Sequence, residues 1–306
     1  MILSKIISKE ILKSRLNYLN CYLPIYKPPG ISSIKIREAI HDDLHNVLWM
    51  TEVSHGTIPI YLINQLDAYA DGVLTFRFGE GLNRRRRMTF AENIYLATVE
   101  LGLEHEHNNI DGEFIGRVNI DHLTGDDIRE KLKLSLGVNH QKKAYAMPMT
   151  ERIMDRSPNE VARIYNTLPR ENCPMRSKDK RQMFECCHPK QISICMKLEL
   201  LSYSKPHAQL RITCQGPFNI SIFIGGLAEK LGTKASLVRM TRIKEGPIWI
   251  NDLRLLSIHE LNLEHYIYRI PSLIDSYKHY QPEMSSEQLE LVKGRENKGK
   301  SFTKFI

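Results

Sequence analysis

Apolar positions along this chain fall into short blocks whose period changes several times. Tyr22 to Ile25 is a compact apolar run and predicts a strand. It ends at Tyr26-Lys27-Pro28-Pro29-Gly30, where Pro-Pro-Gly forces a tight turn, and Ser32 or Ser33 then caps a helix over Ile34 to Leu48. Ile58 to Leu62 and Val73 to Phe78 read as two further strands, with Asp67 on the loop between them. Gly79-Glu80-Gly81 breaks the pattern, and an apolar segment then runs from Met88 through Glu100 toward Leu101-Gly102. Residues 104 to 117 are polar and turn-rich. Helices are predicted over Asp126 to Leu136 and Pro158 to Thr167, with a polar, basic surface insertion at 170 to 191. Gln191 to Tyr203 and Ala208 to Cys214 have strand character and are joined by a Ser-Lys-Pro-His turn. Ile220 to Leu231 predicts a helix ended by Gly232. Leu237 to Ile243 and Pro247 to Ile250 predict a hairpin about Gly246.

Strands and helices alternate irregularly, and no Gly-rich phosphate loop is present, which argues against a Rossmann or P-loop enzyme. The pattern fits an α+β fold, a largely antiparallel mixed sheet flanked by helices. The 306 residues suffice for one large domain or two small ones, and the pattern assigns residues 21–275 to one domain with a polar tail at 276–306. No apolar run approaches the length of a membrane span. Residues 1–20 differ from the rest. Ile2, Leu3, Ile6, Ile7, Leu12 and Leu16 share one helical face, Lys5, Lys9, Lys13 and Arg15 lie mostly on the other, and Glu10 is the lone acid. Such a start favours a mitochondrial matrix-targeting segment over the alternative, an amphipathic first helix packed on the core.

Charge narrows the partner class. With 43 basic against 35 acidic residues the chain carries +8, which favours a polyanion, nucleic acid ahead of an anionic membrane surface. Four adjacent arginines, Arg84, Arg85, Arg86 and Arg87, cannot all be buried, and on an exposed loop they suit phosphate contacts. The six cysteines show no regular spacing, so neither a disulfide scaffold nor a zinc site from Cys173, Cys186, Cys187 and His188 is expected.

Two residues carry candidate chemistry. Asp67 stands among mostly uncharged neighbours, with Asp71 four residues on and no cation before Arg77. It is either a turn or cap residue or a reactive carboxylate that needs a cation close by. Tyr95 could stack on an unpaired base, or could pack in the core with its hydroxyl tied off.

Several motifs then line up in order with one family. Lys27-Pro28-Pro29-Gly30, Leu66-Asp67-Ala68-Tyr69-Ala70-Asp71-Gly72-Val73-Leu74, Tyr95, Leu101-Gly102 with Asp111-Gly112, Cys214, Leu231-Gly232, Ala235, Leu237 and Thr241-Arg242 through Gly246 resemble the TruB-type pseudouridine synthases, most closely their mitochondrial branch in animals. The resemblance spans roughly residues 22 to 250. It implies a curved, largely antiparallel sheet with an RNA groove, no separate C-terminal RNA-binding domain, and isomerisation of uridine to pseudouridine without cofactor or metal. It implies Asp67 as the essential carboxylate attacking the nucleotide, and Tyr95 stacking on a base flipped from its stack. Lys27, Arg84 to Arg87, Lys142, Lys143 and Arg242 would contact RNA. The sequence departs from the family at Asn64-Gln65, at Lys142-Lys143, near Met149, and at Ser221, which stands where the family has an arginine paired with the Asp. Asp67 would then have to find Arg242 or another cation.

The expected function is pseudouridine formation in mitochondrial tRNA, rRNA or mRNA. The alternative is a catalytically degenerate relative that binds RNA as a structural or mitoribosome-assembly factor, with assembly proteins as partners.

Overall fold

A computed structural model of the chain describes residues 21–50, 60–78, 91–141, 191–216 and 218–260. The predicted targeting helix, the helix at 158–167, the insertion at 170–191, the polar tail, Arg84 to Arg87, Lys142 and Lys143 lie outside the described residues.

The element order is β1 (Tyr22–Lys27), α1 (Ser33–Met50), β2 (Ile60–Leu62), β3 (Asp71–Phe78), β4 (Glu92–Leu101), β5 (Leu103–His105), β6 (Phe114–Arg117), α2 (Gly125–Lys133), β7 (Gly137–Gln141), β8 (Gln191–Ser204), β9 (His207–Gln215), α3 (Ile220–Lys230), β10 (Ala235–Glu245) and β11 (Ile248–Trp249). Nine of these strands form one sheet in the order β1-β3-β10-β4-β9-β8-β7, with β2 added to β3 and β11 to β10. Among the described strands the ladders are antiparallel except between β3 and β10, which run parallel over Asp71–Thr241 and Gly72–Arg242. The fold is therefore α+β with a largely antiparallel mixed sheet.

Position in the sheet explains the local patterns. β3 lies between β1 and β10, and all eight of its residues are buried, so it reads as a continuous run rather than an alternation. Phe76 and Phe78 are fully buried there, each contributing about 1.5–3 kcal/mol by leaving water. β4 alternates more clearly, turning Tyr95, Ala97, Val99 and Leu101 into the main core beside Ile36, Ile40 and Leu44 of α1 and Phe223, Ile224 and Leu227 of α3. The helix predicted over Asp126 to Leu136 is shorter. Thr124 and Asp127 close a capping box at its start, and the helix ends at Lys133. Residues 104–117 are not all turn: β5 and β6 pair as a short separate ribbon.

Candidate active site

The Asp67 loop joins β2 to β3, and it is fastened from three sides. Leu66 and Ala70 are buried on either side of a half-buried Asp67, so the loop is anchored in the core around the carboxylate. The first fastening comes from the Lys-Pro-Pro-Gly turn. Lys27 Nζ donates to the carbonyls of Pro28 (3.1 Å), Ala68 (3.0 Å) and Ala70 (2.5 Å), and the Gly30 amide donates to Ala68 O at 2.8 Å. Gly30 adopts a φ of 85°, which favours glycine. The second comes from Ser33, whose hydroxyl donates to Leu66 O (2.7 Å) and accepts from Leu66 N (3.3 Å). Ser32, not Ser33, bonds the backbone of the first helical turn, accepting from Ile34 N.

The third fastening is Arg242. Its guanidinium donates to Asn64 O (2.9 Å) before the loop and to Val73 O (2.7 Å) after it. Glu245 balances the charge at 3.4 Å and itself accepts from the Asn64 side chain. Gly72 allows this approach: with φ of 117°, a Cβ there would stand 2.2 Å from Arg242 O.

These contacts correct two expectations. Lys27 and Arg242 are each 0% exposed, so neither offers its charge to an RNA phosphate. They act as internal pins that set the loop. Burial pushes the Lys27 ammonium down to about 8, against the attraction of Asp67 and Asp71. Tyr95 takes the packed alternative. It is 5% exposed, its ring lies beside the Arg242 guanidinium, and its hydroxyl accepts from Arg242 at 3.3 Å. It does not present an open ring for stacking. Burial raises its hydroxyl to about 12, so it stays protonated.

Asp67 makes no ion pair with a described residue. Burial lifts its carboxyl above the ordinary carboxylate range, and the charge of Asp111 adds to that; the Tyr69 hydroxyl, then Lys27 and Arg242, pull the other way. Asp71, four residues on, has a different place. It is buried and accepts from Thr241 Oγ1 (2.6 Å) and Tyr26 OH (3.1 Å), which makes it a fixed structural acceptor.

Sequence reasoning does not single out Tyr69, Asn109 or the charge of Asp111, which surround Ser221 and Asp67. The Tyr69 hydroxyl, two residues on from Asp67, lies 3.2 Å from Ser221 Oγ, so the position expected to hold a cation holds a buried hydroxyl. Asn109 Nδ2 reaches Ser221 Oγ at 3.4 Å. Asn109 follows a 3-10 turn at Glu106–Asn108, in which His107 and Asn108 have φ of 64° and 57°. Gly112 lets the segment fold back on this turn, since a Cβ there would meet Glu106 O at 1.8 Å. Tyr69 within the Leu-Asp motif, and the Asp-Gly pair, were the available signals.

No family model matches the chain. Over 229 residues it is 27% identical to a tRNA pseudouridine synthase B of Dehalococcoides mccartyi, an alignment covering 75% of this chain and 66% of that protein. Over 251 residues it is 24% identical to the human pseudouridylate synthase TRUB1, covering 80% and 66%. The chain thus spans about two thirds of the length of these curated relatives. Among solved structures, an H/ACA RNP bound to a substrate RNA containing 2'-deoxyuridine aligns with TM-score 0.51 at 15% identity, covering 88% of this chain and 61% of that one. A Cbf5-Nop10-Gar1 complex aligns at 0.50 and 17%, covering 87% and 61%. The fold is that of the pseudouridine synthases, and in sequence the chain is similar to tRNA pseudouridine synthase B and TRUB1 proteins.

Proposed function

We propose that the chain is an RNA pseudouridine synthase with Asp67 as its essential carboxylate. The reaction breaks the bond between uracil N1 and the ribose, turns the base, and joins C5 to the same carbon; the C5 proton is lost and N1 gains one. The observation that carries this reading is the loop itself. A half-buried carboxylate stands on a loop whose carbonyls, and those flanking it, are bonded by two fully buried cations, and the loop has the sequence that resembles the family's Leu-Asp motif. A locked backbone and an acceptor with no ion-pair partner among the described residues suit a group that must meet a nucleotide.

The substrate is an RNA, with tRNA favoured by the relatives' names. The target uridine would leave its stack to reach Asp67. Arg84 to Arg87, Lys142 and Lys143 are proposed as phosphate contacts, and the net charge of +8 supports them. Action in the mitochondrial matrix is proposed from the basic, acid-poor amphipathic pattern of residues 1–20. The test is pseudouridine mapping on uridine-containing RNA treated with the full chain and with Asp67→Ala. Product with the parent chain and none with Asp67→Ala supports the reading; equal product from both, or none from either, overturns it.

A further inference from the structure

Two histidines on α1 form a pair that the chemistry at Asp67 does not use. His41 and His45 are four residues apart, so the helix stacks them on one face, and their ring centres lie 4.2 Å apart. They border the buried stripe of Ile36, Ile40 and Leu44. Their ring nitrogens are not equivalent. His41 Nδ1 lies 3.3 Å from Asp42 Oδ1. An ionised carboxylate only accepts, so the proton sits on Nδ1 and the lone pair of the neutral ring on Nε2. His45 Nε2 is buried and has no hydrogen-bond partner. A buried ring nitrogen left unpaired is unfavourable, and a bound ligand would relieve it.

We propose that His41 and His45 form a bidentate site for a divalent first-row metal ion of the imidazole-binding class, nickel, copper or zinc. Two histidines at i and i+4 on one helix face are a chelating arrangement. At N–metal distances of about 2.0–2.1 Å, rings this close can both reach one ion. The contact of His41 Nδ1 with Asp42 is of the kind that orients a ligating ring and raises its basicity. Burial first, and the His41 ring second, lowers the His45 imidazole below its ordinary range, which keeps it neutral and able to ligate.

Among the described residues no cluster of three or more metal-ligating side chains occurs, so water fills the remaining positions of the ion. Ligation spans one turn of α1. The same helix begins at Ser33, whose hydroxyl fastens Leu66 of the Asp67 loop, so the ion stiffens an element that supports that loop and takes no part in the reaction.

The test is calorimetric titration of the full chain with Ni²⁺ and Zn²⁺, with Mg²⁺ as the oxygen-preferring control. The parent should bind one equivalent of Ni²⁺. Losing either ring turns a chelate into a single ligand, so His41→Gln and His45→Gln should each weaken binding about tenfold or more. Ni²⁺ should raise the Tm of the parent and not that of these variants. Replacing Cys173, Cys186 and Cys187 by Ser should leave Ni²⁺ binding unchanged, which separates the site from thiols elsewhere in the chain. If the histidine variants do not fold, histidine modification by diethyl pyrocarbonate, mapped by mass spectrometry in the parent, carries the test: Ni²⁺ should protect His41 and His45. No binding by the parent, undiminished binding in both histidine variants, or equal modification of both rings with and without Ni²⁺ overturns the proposal.

Discussion

Gly72→Ala is the sharpest perturbation of the frame that holds Asp67. At this position the new Cβ would lie 2.2 Å from Arg242 O and 2.8 Å from Arg242 C and N, all backbone atoms that no rotamer change can clear. β3 and β10 must separate where they run parallel, at Gly72–Arg242. That movement breaks the Arg242 contacts to Val73 O (2.7 Å) and Asn64 O (2.9 Å). Hydrogen bonds from a charged donor are worth about 1.5 kcal/mol or more each, so the pair costs about 3 kcal/mol. Forcing alanine into a left-handed backbone adds about 1–2 kcal/mol. The sum of about 4–5 kcal/mol is a large part of a typical folding stability of about 5–15 kcal/mol. In a chain of 306 residues it should lower Tm by about 6–8 °C.

Gly30→Ala is the matched control. Its φ of 85° is also positive, yet nothing lies within 4 Å of the added Cβ. It should cost only the backbone strain, about 1–2 kcal/mol. Thermal unfolding followed by circular dichroism reads both variants. Equal Tm losses in the two would refute the argument that the approach of Arg242, rather than backbone strain, is what Gly72 serves.

Other consequences follow from the same contacts. Arg242→Met removes the pins on both ends of the loop and leaves Glu245 as a buried carboxylate without its ion-pair partner, at a cost of about 3–5 kcal/mol; urea unfolding should show it, with Arg242→Lys failing to restore the parent midpoint. Asp111→Asn removes a negative charge that raises the Asp67 pKa, so the acid limb of turnover should move to lower pH; an unmoved limb would contradict the influence of Asp111 on Asp67. Replacing Arg84 to Arg87 with Gln should weaken RNA binding uniformly across sequences and flatten its salt dependence, and titrations at several salt concentrations that show parent behaviour would remove those arginines from the interface.

Most of the strand framework was legible in the chain because its signals are local. The β8–β9 hairpin, β1, β3, the turn before α1 and the end of α3 at Gly232 each show a periodicity or a turn residue within a few positions. β4 was harder to bound, since its apolar run continues from the preceding segment, and the β5–β6 ribbon was hidden because Phe114 and Ile115 are exposed among polar neighbours. The site was legible only at Asp67. Its surroundings are assembled across the fold: Lys27 meets Ala68 over 41 positions, Tyr69 meets Ser221 over 152, and Arg242 meets Asn64 over 178. Nothing in the sequence neighbourhood of Lys27 or Arg242 distinguishes a buried cation that pins carbonyls from an exposed one that grips phosphate, so from sequence both suit RNA contact. The Lys-Pro-Pro-Gly turn and the Leu-Asp segment were legible as two motifs, and the structure joins them into one support for a carboxylate.

The central claim is that Asp67 performs the chemistry. Its most direct measurement is the yield of pseudouridine at a mapped position, per enzyme, for the parent chain against Asp67→Ala of matched stability. The account predicts product with the parent and a loss to background with Asp67→Ala. Undiminished product from Asp67→Ala would contradict it.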